Sequence, residues 1–600
     1  MCGIFCSVST RKPLYPGPGL EQLLVNRGPD SNGKTLKATR RTCTIRASSE
    51  EVHLLCWSTV LSLRGLGTVD QPYRENDSSS TLCWNGEAWS ISGNTAAGND
   101  TRAVFSLLEN SKSTGPDGLD RITFVLARTK ELSAKLSEVS GPYAFVFHDQ
   151  SNGLLFFGRD FLGRRSLLSR TTTDGEIVLS SVSDGQHQNF WREVSADGLY
   201  CIDLLHSFDE VPLEHRAVQT WGKFGIFRVP YNYIGDPGQP TNISVIPHLS
   251  LTEDSSGPAA LLSDQSQSVI SLERLLRTSL AVRLFKIPQP PTRNVETESF
   301  DSLAKIAVLF SGGLDCTVLA RLAHDLLPLS EPIDLLNVAF ENPRVHKTKN
   351  GEPEKNPYEL CPDRITGRNS FTELSNVCPQ RRWRFVAINV PFSETLEHRQ
   401  NIITLMHPHN TEMDLSICCA LYFAARGRGL YSPSFDDRTE PYTTSARVLL
   451  SGLGADELFG GYTRHATAYR RHGTSGLVSE LDLDISRLGQ RNLGRDDRVF
   501  SNWSREVRFP FLDETLVRWA LNTPVHEKCD FAASRINHGE AQEQYGRGGE
   551  ELEAGKKVLR CLAWRLGMKH VASEKKRAIQ FGTRTAKMET GQTKGTTLLT

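Results

Sequence analysis

Short alternating runs of apolar and polar residues dominate roughly the first third of the chain. Residues 81–84 and 143–147 show this alternation, which is typical of half-buried β-strands, and turn-rich stretches such as 27–33 separate them. Helical periodicity intervenes near 101–110 and again over about 128–139. The pattern predicts an α+β domain rather than a purely β one.

The hydrophobic rhythm changes at about residue 266. An amphipathic helical pattern runs to Arg283, and the continuous apolar run 305–310 follows it, as expected for a strand buried on both faces. Further apolar strands are predicted at 333–340, 385–390 and 447–450, with helices at 317–326 and 415–425. This repeated β-α-β pattern predicts a parallel α/β domain.

These patterns divide the chain into a domain over 2–205, a connecting segment over 206–265 and a second domain over 266–600. The connector is indicated by turn formers without periodicity after about residue 230. The polar stretch 341–382 is too long for an ordinary connection, so we interpret it as a mobile or substrate-covering insertion.

Composition narrows the class of protein without naming a function. The 600 residues are 38% hydrophobic and 23% charged, which is typical of a globular protein of several domains. Lysine plus arginine equals aspartate plus glutamate at 69 each, which removes a global electrostatic argument for nucleic-acid or membrane partners. Thirteen cysteines without a CxxC pair indicate reduced thiols, and no leader or long apolar run is apparent, so we expect a cytoplasmic location.

The first residues carry the first candidate chemistry. Removal of Met1 would make Cys2 the N-terminal residue, with a thiol and an α-amine on one residue. The pKa of a free α-amine is about 7.7 to 8, so this amine can serve as the base for its own side chain. Taken alone, a cysteine at the second position favours chance over this chemistry.

Three further segments follow Cys2, and each taken alone is an ordinary turn: 27–30 (Arg-Gly-Pro-Asp), 85–87 (Asn-Gly-Glu) and 158–164. Their order and spacing over 2–205 resemble the class II glutamine amidotransferase domain. That resemblance implies a four-layer N-terminal-nucleophile fold in which Cys2 attacks the glutamine amide. It also implies that Asn85 and Gly86 stabilise the oxyanion, that Asp100 holds the glutamine α-amine, and that Arg27 belongs to the substrate-binding set.

One departure from that family concerns the glutamine carboxylate. Family members carry an arginine about eleven residues before a Gln-Pro pair, whereas counting back from Gln71 and Pro72 reaches Val60. Arg64 is close in sequence and substitutes only if the register shifts. The departure places the affinity for glutamine in question.

A second motif, Ser311-Gly312-Gly313-Leu314-Asp315-Cys316, lies between a predicted buried strand and a helix. Small residues let backbone amides approach phosphate oxygens, and the N-terminus of the following helix favours anions. The motif resembles the pyrophosphate loop of ATP pyrophosphatases, with Cys316 in place of the usual serine. An accidental glycine turn is the alternative, which the strand-loop-helix context disfavours.

A third motif, beginning Ser451-Gly452-Leu453 and ending in paired carboxylates at Asp456 and Glu457, follows the fourth strand of the second domain. Together with 497–513 it resembles the synthetase domain of glutamine-dependent asparagine synthetases over roughly 266–582. By that resemblance the residues that contact ATP are Ser311, Gly312, Gly313, Asp315, Cys316, Ser451 and Gly452. Asp315 and Asp456 hold Mg²⁺. Lys556 would neutralise the leaving pyrophosphate; its alternative is a solvated helix charge.

The resemblance implies a ligase that takes ammonia from glutamine and forms asparagine from aspartate, with release of AMP and pyrophosphate. Its partners would be the small molecules glutamine, aspartate and ATP. Val60 and Leu453 favour an alternative, a catalytically degraded homologue that acts as a binding or regulatory protein. A third hypothesis keeps adenylation and changes the acid acceptor, which the stretch 341–382 would permit. The sequence defines neither the acid acceptor nor an oligomeric state.

Overall fold

The computed structural model describes residues 1–43, 48–65, 67–96, 98–110, 120–185, 191–207, 218–231, 262–289, 303–345, 356–432, 439–532, 552–588 and 595–599. The chain forms two compact units. The first comprises Met1–Val245, Ile403–Asn410 and Leu488–Arg505. The second comprises Ile246–Ile402, Thr411–Arg487 and Glu506–Thr600.

The strands and helices are numbered in chain order. The strands are β1 (Gly3–Ser9), β2 (Ser31–Cys43), β3 (Ser48–Val60), β4 (Thr81–Gly86), β5 (Ser90–Ile91), β6 (Asn94–Thr95), β7 (Val139–Ser140), β8 (Tyr143–Asp149), β9 (Leu154–Arg159), β10 (Leu168–Thr171), β11 (Ile177–Ser180), β12 (Arg192–Glu193), β13 (Gly198–Asp203), β14 (His206–Ser207), β15 (Val218–Trp221), β16 (Phe224–Pro230), β17 (Ile306–Leu309), β18 (Ile333–Phe340), β19 (Trp383–Val390), β20 (Arg428–Tyr431), β21 (Glu440–Thr443), β22 (Val448–Leu450) and β23 (Glu506–Arg508). The helices are α1 (Pro18–Arg27), α2 (Asp100–Glu109), α3 (Arg121–Leu136), α4 (Gln267–Leu284), α5 (Leu314–Leu326), α6 (Pro362–Val377), α7 (Phe392–Met406), α8 (Glu412–Arg426), α9 (Ala455–Phe459), α10 (Thr463–Leu488), α11 (Gly494–Ser501), α12 (Glu514–Asn522), α13 (Lys557–Arg565), α14 (Lys569–Ser573) and α15 (Ile579–Gly582).

Two sheets form the centre of the first unit. One has the strand order β12-β10-β11-β1-β3-β2-β14 and the other β15-β16-β13-β9-β8-β4. Strands β1 and β3 pair antiparallel, with Cys6 opposite Cys56, and β4 pairs antiparallel with β8, with Asn85 opposite Ala144. The N-terminal strand is therefore central in its sheet, which holds Cys2 rigidly at the strand's start.

Apolar side chains fill the space between these sheets and on the outer face of the second one. Ile4 and Val8 of the first sheet pack in one cluster with Val146 and Ile202 of the second. On the other face, a second cluster joins strand residues to α2 and α3, while α1 contacts β1 and β3. The layers run helix, sheet, sheet, helix, and the prediction of helices mixed with sheets is confirmed.

Two elements of the first unit differ from the sequence expectation. Helix α3 begins at Arg121 rather than near 128, because the Asp120 side chain caps it by accepting a hydrogen bond from the backbone N of Thr123. Strands β15 and β16 lie inside the stretch 206–265 that we interpret as a connector, and β16 pairs with β13. Much of that connector, 208–217 and 232–261, lies outside the described residues.

The second unit contains a sheet of order β21-β20-β19-β18-β17-β22-β23. Strands β19, β18, β17, β22 and β23 are parallel, and β20 and β21 are antiparallel additions at one edge. Strand β18 spans Ile333–Phe340 and is buried along its whole length, as its continuous apolar run predicts. Strands β17 and β22 are neighbours, so the loops after them meet at one edge of the sheet.

The interpretation of 341–382 as an insertion is wrong for its second part. Residues 362–377 form helix α6, which packs on β18 and β19 and is the crossover between these parallel strands. The hydrophobic pattern of α6 is weak because a polar residue, Arg364, occupies a buried position of the helix. Arg364 donates to the Asn337 Oδ1 at 2.6 Å. The part 346–355 lies outside the described residues.

Two further findings concern the described residues of both units. Twelve of their cysteines are buried. Within the same described residues, no helix is both long and apolar enough to cross a membrane.

Candidate functional sites

Cys2 lies at the start of β1 and is 8% exposed. Its backbone N donates to the Asn85 Oδ1 at 3.0 Å, and its carbonyl oxygen accepts from the Arg27 Nε at 3.2 Å. The next residue, Gly3, is held by the Thr59 hydroxyl, and a methyl group at Gly3 would lie 2.5 Å from that oxygen. The backbone of Cys2 and Gly3 is thus fixed by contacts from three separate elements.

Asn85 is fully buried at the end of β4. Its Oδ1 is occupied by the backbone N of Cys2, whereas its Nδ2 has no hydrogen-bond partner within the described part of the chain. An unpaired buried donor is costly, and such donors are found where a ligand supplies the missing acceptor. Gly86 follows, where a methyl group would lie 2.5 Å from the Pro142 carbonyl oxygen, so only glycine fits.

Gln71 is a residue that the sequence analysis used only as a position marker. Its Nε2 approaches the Cys2 Sγ at 3.9 Å and the Thr101 hydroxyl at 3.4 Å, and its Oε1 accepts from the backbone N of Trp84 at 2.7 Å. The Gln-Pro pair itself was the available signal, but its spacing did not indicate contact with the thiol. Gln71 and Thr101 therefore join Cys2 and Asn85 in one buried cluster.

Asp100 is the first residue of α2 and is buried. Its Oδ2 accepts from the Trp84 Nε1 at 3.1 Å and from the backbone N of Ala88 at 2.9 Å. Burial raises the pKa of Asp100, and the Ala88 N–H and the charge of Arg64 partly oppose that rise. The carboxylate thus lies at the turn that follows Asn85 and Gly86.

Val60 and Arg64 are the two positions considered for binding the glutamine carboxylate, and their surroundings differ. Val60 is a buried apolar residue at the end of β3. The Arg64 guanidinium donates to the carbonyl oxygens of Ala88 and Ala96, each at 2.6 Å, and lies 3.6 Å from Glu87. Arg64 therefore places a positive charge at the turn that also contacts Asp100, although its sequence register is not that of the family.

The second candidate site begins at the loop after β17. Gly312 has a φ of +80°, and a methyl group there would lie 2.5 Å from the backbone N of Gly367 in α6. The Gly312 carbonyl oxygen accepts from the Ser370 hydroxyl at 2.6 Å, and the backbone N of Gly313 donates to the Ser311 Oγ at 3.3 Å. Helix α6, which the sequence did not predict, supports this loop.

Cys316 lies in the first turn of α5 and is buried. Its thiol donates to the Gly313 carbonyl oxygen at 3.3 Å and lies 3.6 Å from the Ser311 Oγ. Burial raises the pKa of this thiol, which keeps it in the neutral, donating form. The thiol here makes the contact to the loop backbone that a serine hydroxyl also provides.

A lysine joins two carboxylates at this edge of the sheet. The Lys556 Nζ lies 2.8 and 2.9 Å from the two Asp315 oxygens and 2.9 Å from the Asp456 Oδ1. Its side chain is 3% exposed, so the alternative of a solvated helix charge is wrong. Lys576, which the sequence analysis did not single out, makes a very short contact with the Asp456 Oδ2.

The charges in this cluster reinforce one another. Burial alone would raise the pKa of Asp456, but Lys556 and Lys576 outweigh it and hold that pKa well below its usual range. Burial opposes the charge on Lys556 as well, yet Asp315 and Asp456 raise its pKa above the ordinary value. An ionised Asp456 and a cationic Lys556 therefore stand together at neutral pH.

The loop after β22 lies at the same edge of the sheet, next to Asp315. A methyl group at Gly452 would lie 2.7 Å from the Asp315 Cβ, so the absence of a side chain lets the two loops touch. The Ser451 Oγ accepts from the backbone N of Leu453 at 3.3 Å, and Leu453 itself is half-buried. Glu457 is buried and accepts from the Tyr462 hydroxyl at 2.6 Å. All seven predicted ATP-contacting residues lie on these two loops or at the start of α5.

The donor set fits a magnesium ion bound together with phosphates. Mg²⁺ commonly takes one or two protein carboxylates and fills its remaining positions from phosphates and water. Asp315 and Asp456 both pair with Lys556. Beside them, the absence of a side chain at Gly312 lets a phosphate come close to the backbone of the loop. Across the described residues, no group of three or more histidine, cysteine, aspartate or glutamate side chains has the arrangement of an all-protein metal centre.

Comparison with known proteins finds one family along this chain. A family model described as Asparagine synthase matches residues 442–480 and 471–596. The protein named asparagine synthetase domain-containing protein 1 is 34% identical in Homo sapiens and 33% identical in Bos taurus, in each case over 98% of this chain and 96% of that protein. A putative asparagine synthetase [glutamine-hydrolyzing] 1 from Methanocaldococcus jannaschii is 37% identical over 24% of this chain and 28% of its own length.

The matched residues 442–596 show that the C-terminal part of the chain contains an asparagine synthase domain. The similarity extends through the N-terminal unit as well, since the human and bovine relatives align over nearly the whole chain. The chain belongs to the asparagine synthetase family, in the group of asparagine synthetase domain-containing protein 1.

Proposed function

We propose that this chain is a glutamine-dependent, ATP-consuming ligase that converts aspartate to asparagine. The observation that carries the proposal is the meeting of Asp315, Lys556 and Asp456 beside the loop 311–313. Such a cluster suits a reaction that releases pyrophosphate, because ionised carboxylates hold Mg²⁺ and a buried cation stabilises the leaving charge.

The first half-reaction would take place at Cys2. After removal of Met1, the α-amine of Cys2 lies at the position that contacts the Asn85 Oδ1, where it accepts the thiol proton. The sulfur then bonds to the glutamine amide carbon. The α-amine passes its proton to the amide nitrogen, the carbon–nitrogen bond breaks and ammonia leaves. Water hydrolyses the thioester to glutamate and returns the free thiol. The unpaired Nδ2 of Asn85 is the donor that would stabilise the oxyanion.

The second half-reaction would take place at the other site. The backbone of Gly312 and Gly313 and the start of α5 would bind the ATP phosphates. Bound Mg²⁺ would supply charge neutralisation on the pyrophosphate. Asp315 and Asp456 would bind this Mg²⁺. Lys556 lies between the two carboxylates, and its Nζ would donate to the oxygens of the leaving pyrophosphate.

A degraded homologue with a binding or regulatory role is the second candidate. Leu453 favours it, because this half-buried apolar residue stands where the family's S-G-E-G motif has a glutamate and it cannot accept a proton. In that case nucleotide binding would persist without asparagine formation. Val60 adds a second apolar substitution, at the place of the family's glutamine-carboxylate arginine.

Separate assays of the two half-reactions test the proposal. Purified full-length protein is expected to hydrolyse glutamine and to release pyrophosphate in an aspartate-dependent manner, and mass spectrometry is expected to show Cys2 as the first residue. Absence of both activities, with retained Mg²⁺-ATP binding, would favour the degraded homologue.

Asp315→Asn tests the magnesium position directly. The variant is expected to bind Mg²⁺-ATP at least about ten-fold more weakly, because it removes one carboxylate charge. Asp325→Asn is the matched control: Asp325 lies on the same helix but pairs with Arg321 and Arg277 away from the cluster. Equal Mg²⁺-ATP affinities for Asp315→Asn, the control and the wild type, in titrations at matched Mg²⁺, would contradict the site.

A further inference from the structure

Arg27 is a buried cation whose contacts connect Cys2 to a remote part of the chain. It ends α1 and is 1% exposed. Its Nε donates to the Cys2 carbonyl oxygen at 3.2 Å, its Nη1 to the Ser501 Oγ at 2.5 Å and its Nη2 to the Asp497 Oδ2 at 2.8 Å. Three acceptors on two elements therefore fix the plane of one guanidinium.

Asp497 and Ser501 lie on α11, which belongs to the same compact unit as Cys2 although it follows in sequence by nearly five hundred residues. Asp497 is fully buried, and its Oδ2 also accepts from the backbone N of Ser166 at 3.2 Å. A buried carboxylate is tolerated only when it is paired and hydrogen-bonded. Arg27 and Asp497 meet this requirement for each other.

These contacts give Arg27 a different role from binding substrate. A guanidinium has five N–H donors, and here donors on all three nitrogens are directed at protein acceptors. The contact to the Cys2 carbonyl acts on the backbone from which the thiol projects. The neighbouring contact of the Asn85 Oδ1 acts on the backbone N of the same residue, so Cys2 is held from both ends.

We propose that Asp497 and Ser501 are positioning residues for the Cys2 nucleophile and act through Arg27. The inference rests on the proposed hydrolysis of glutamine at Cys2. It assigns to α11 a part in the amidotransferase reaction, although 497–513 is a segment whose resemblance is to synthetases. Misplacement of a nucleophile lowers the rate of attack more than it lowers substrate affinity, because the substrate's own contacts remain.

The test uses Ser501→Ala and Asp497→Asn in the full chain. Each is expected to lower kcat for glutamine hydrolysis by roughly ten- to a hundred-fold with KM changed less than about three-fold. Ser501→Thr keeps the hydroxyl and is expected to restore most of kcat. A chloroketone analogue of glutamine provides a second readout, since the Cys2 sulfur displaces chloride and the product is identified by mass spectrometry; its maximal rate should fall in parallel.

Asp149→Asn is the matched control. Asp149 forms a buried ion pair with Arg128 in the same unit, at 3.0 Å, with side chains 5% and 3% exposed. Its loss is expected to lower stability without changing kcat. Wild-type kcat in both α11 variants, or a fall in kcat no larger than in Asp149→Asn at equal loss of stability, would overturn the inference. A wild type whose Cys2 fails to react with the analogue would overturn the proposed hydrolysis itself, and with it this inference.

Discussion

The side-chain amide of Asn85 performs two tasks at the residue scale. Its oxygen holds the backbone N of Cys2, and its nitrogen remains unpaired within the described structure although it is buried. One short side chain thus links the position of the nucleophile to the position of the oxyanion. The pairing of Asn85 with Ala144 and of Gly86 with Tyr143 fixes this side chain relative to β8.

Replacement of Cys2 tests the nucleophile. Cys2→Ala is expected to lower glutamine hydrolysis at least about 10³-fold and to leave ammonia-driven synthesis intact, because the thiol and its amine serve only the first half-reaction. Cys6→Ala is the control, since Cys6 lies on the same strand but between the two sheets. Unchanged glutaminase activity in Cys2→Ala would refute the assignment.

Because Leu453 cannot accept a proton, we expect the second half-reaction to be slow. General acid–base help is worth roughly 10²- to 10⁴-fold, so the wild type should form asparagine slowly even when aspartate and ATP bind normally. Leu453→Glu is expected to raise ammonia-dependent asparagine formation by a factor in that range while nucleotide affinity stays nearly constant. Half-burial of Leu453 lets the new carboxylate reach solvent.

Leu453→Gln separates proton transfer from size in this experiment. The amide matches glutamate in shape and does not act as a base, so it should leave the rate near that of the wild type. A wild type that forms asparagine at ordinary enzymic rates, on the order of 1 s⁻¹ or above, would show that another group accepts the proton.

At the scale of elements, the phosphate loop depends on a helix that carries no motif. Gly312 touches Gly367 of α6, and Ser370 of α6 donates to its carbonyl oxygen. The positive φ of Gly312 and the close approach of two backbones both require glycine. The conformation of the loop therefore depends both on residues 311–315 and on a helix that begins nearly fifty residues later.

Gly312→Ala tests this contact between the loop and α6. The added methyl group must adopt a positive φ, at about 1 to 2 kcal/mol, and it also overlaps the Gly367 backbone. We expect a loss of roughly 2 to 4 kcal/mol in unfolding free energy and weaker ATP binding. Gly93→Ala is the control, because Gly93 has a φ of +79° with nothing within 4 Å of the added atom. Equal effects in urea titrations of the two variants would contradict the packing argument.

Local patterns predicted those elements whose determinants are local. The apolar run of β18 and the loop 311–315 were predicted at or near their observed positions, since burial on both faces and close phosphate approach each leave a mark in neighbouring residues. Helix α6 was missed because its buried Arg364 and Ser370 satisfy partners on other elements. The same reason hid Gln71, Lys576 and the pairing of Arg27 with Asp497, which depend on contacts across tens to hundreds of residues.

At the scale of the whole molecule, each compact unit contains one candidate site and its own buried charges. In the second unit, burial raises the pKa of Asp363 to about 7, with Arg577 and Lys576 opposing the rise and Glu574 adding to it. Between about pH 4 and pH 7 the folded chain keeps a proton on Asp363 that the unfolded chain has released. Stability attributable to this residue therefore falls as the pH rises through that window.

Asp363→Asn is expected to remove this dependence. The difference in unfolding free energy between variant and wild type should be near zero at pH 4 and grow to about 4 kcal/mol in favour of the variant by pH 8. Asp325→Asn should behave oppositely, because Arg277 and Arg321 outweigh partial burial and lower the pKa of Asp325. A pH series of urea unfolding curves in which Asp363→Asn runs parallel to the wild type would contradict the raised pKa of Asp363.

The first unit is assembled from pieces of chain that are far apart, since Ile403–Asn410 and Leu488–Arg505 belong with Met1–Val245. A nascent chain leaves the ribosome from its N-terminus, so the guanidinium of Arg27 enters its fold before Asp497 and Ser501 have been synthesised. At roughly 5 to 20 residues per second, more than two hundred residues of delay amount to tens of seconds. During that interval the N-terminal part of the chain holds the Arg27 cation without its counter-charge, and Glu193 lacks the Arg498 guanidinium. It should therefore be a substrate for chaperones until translation passes residue 505.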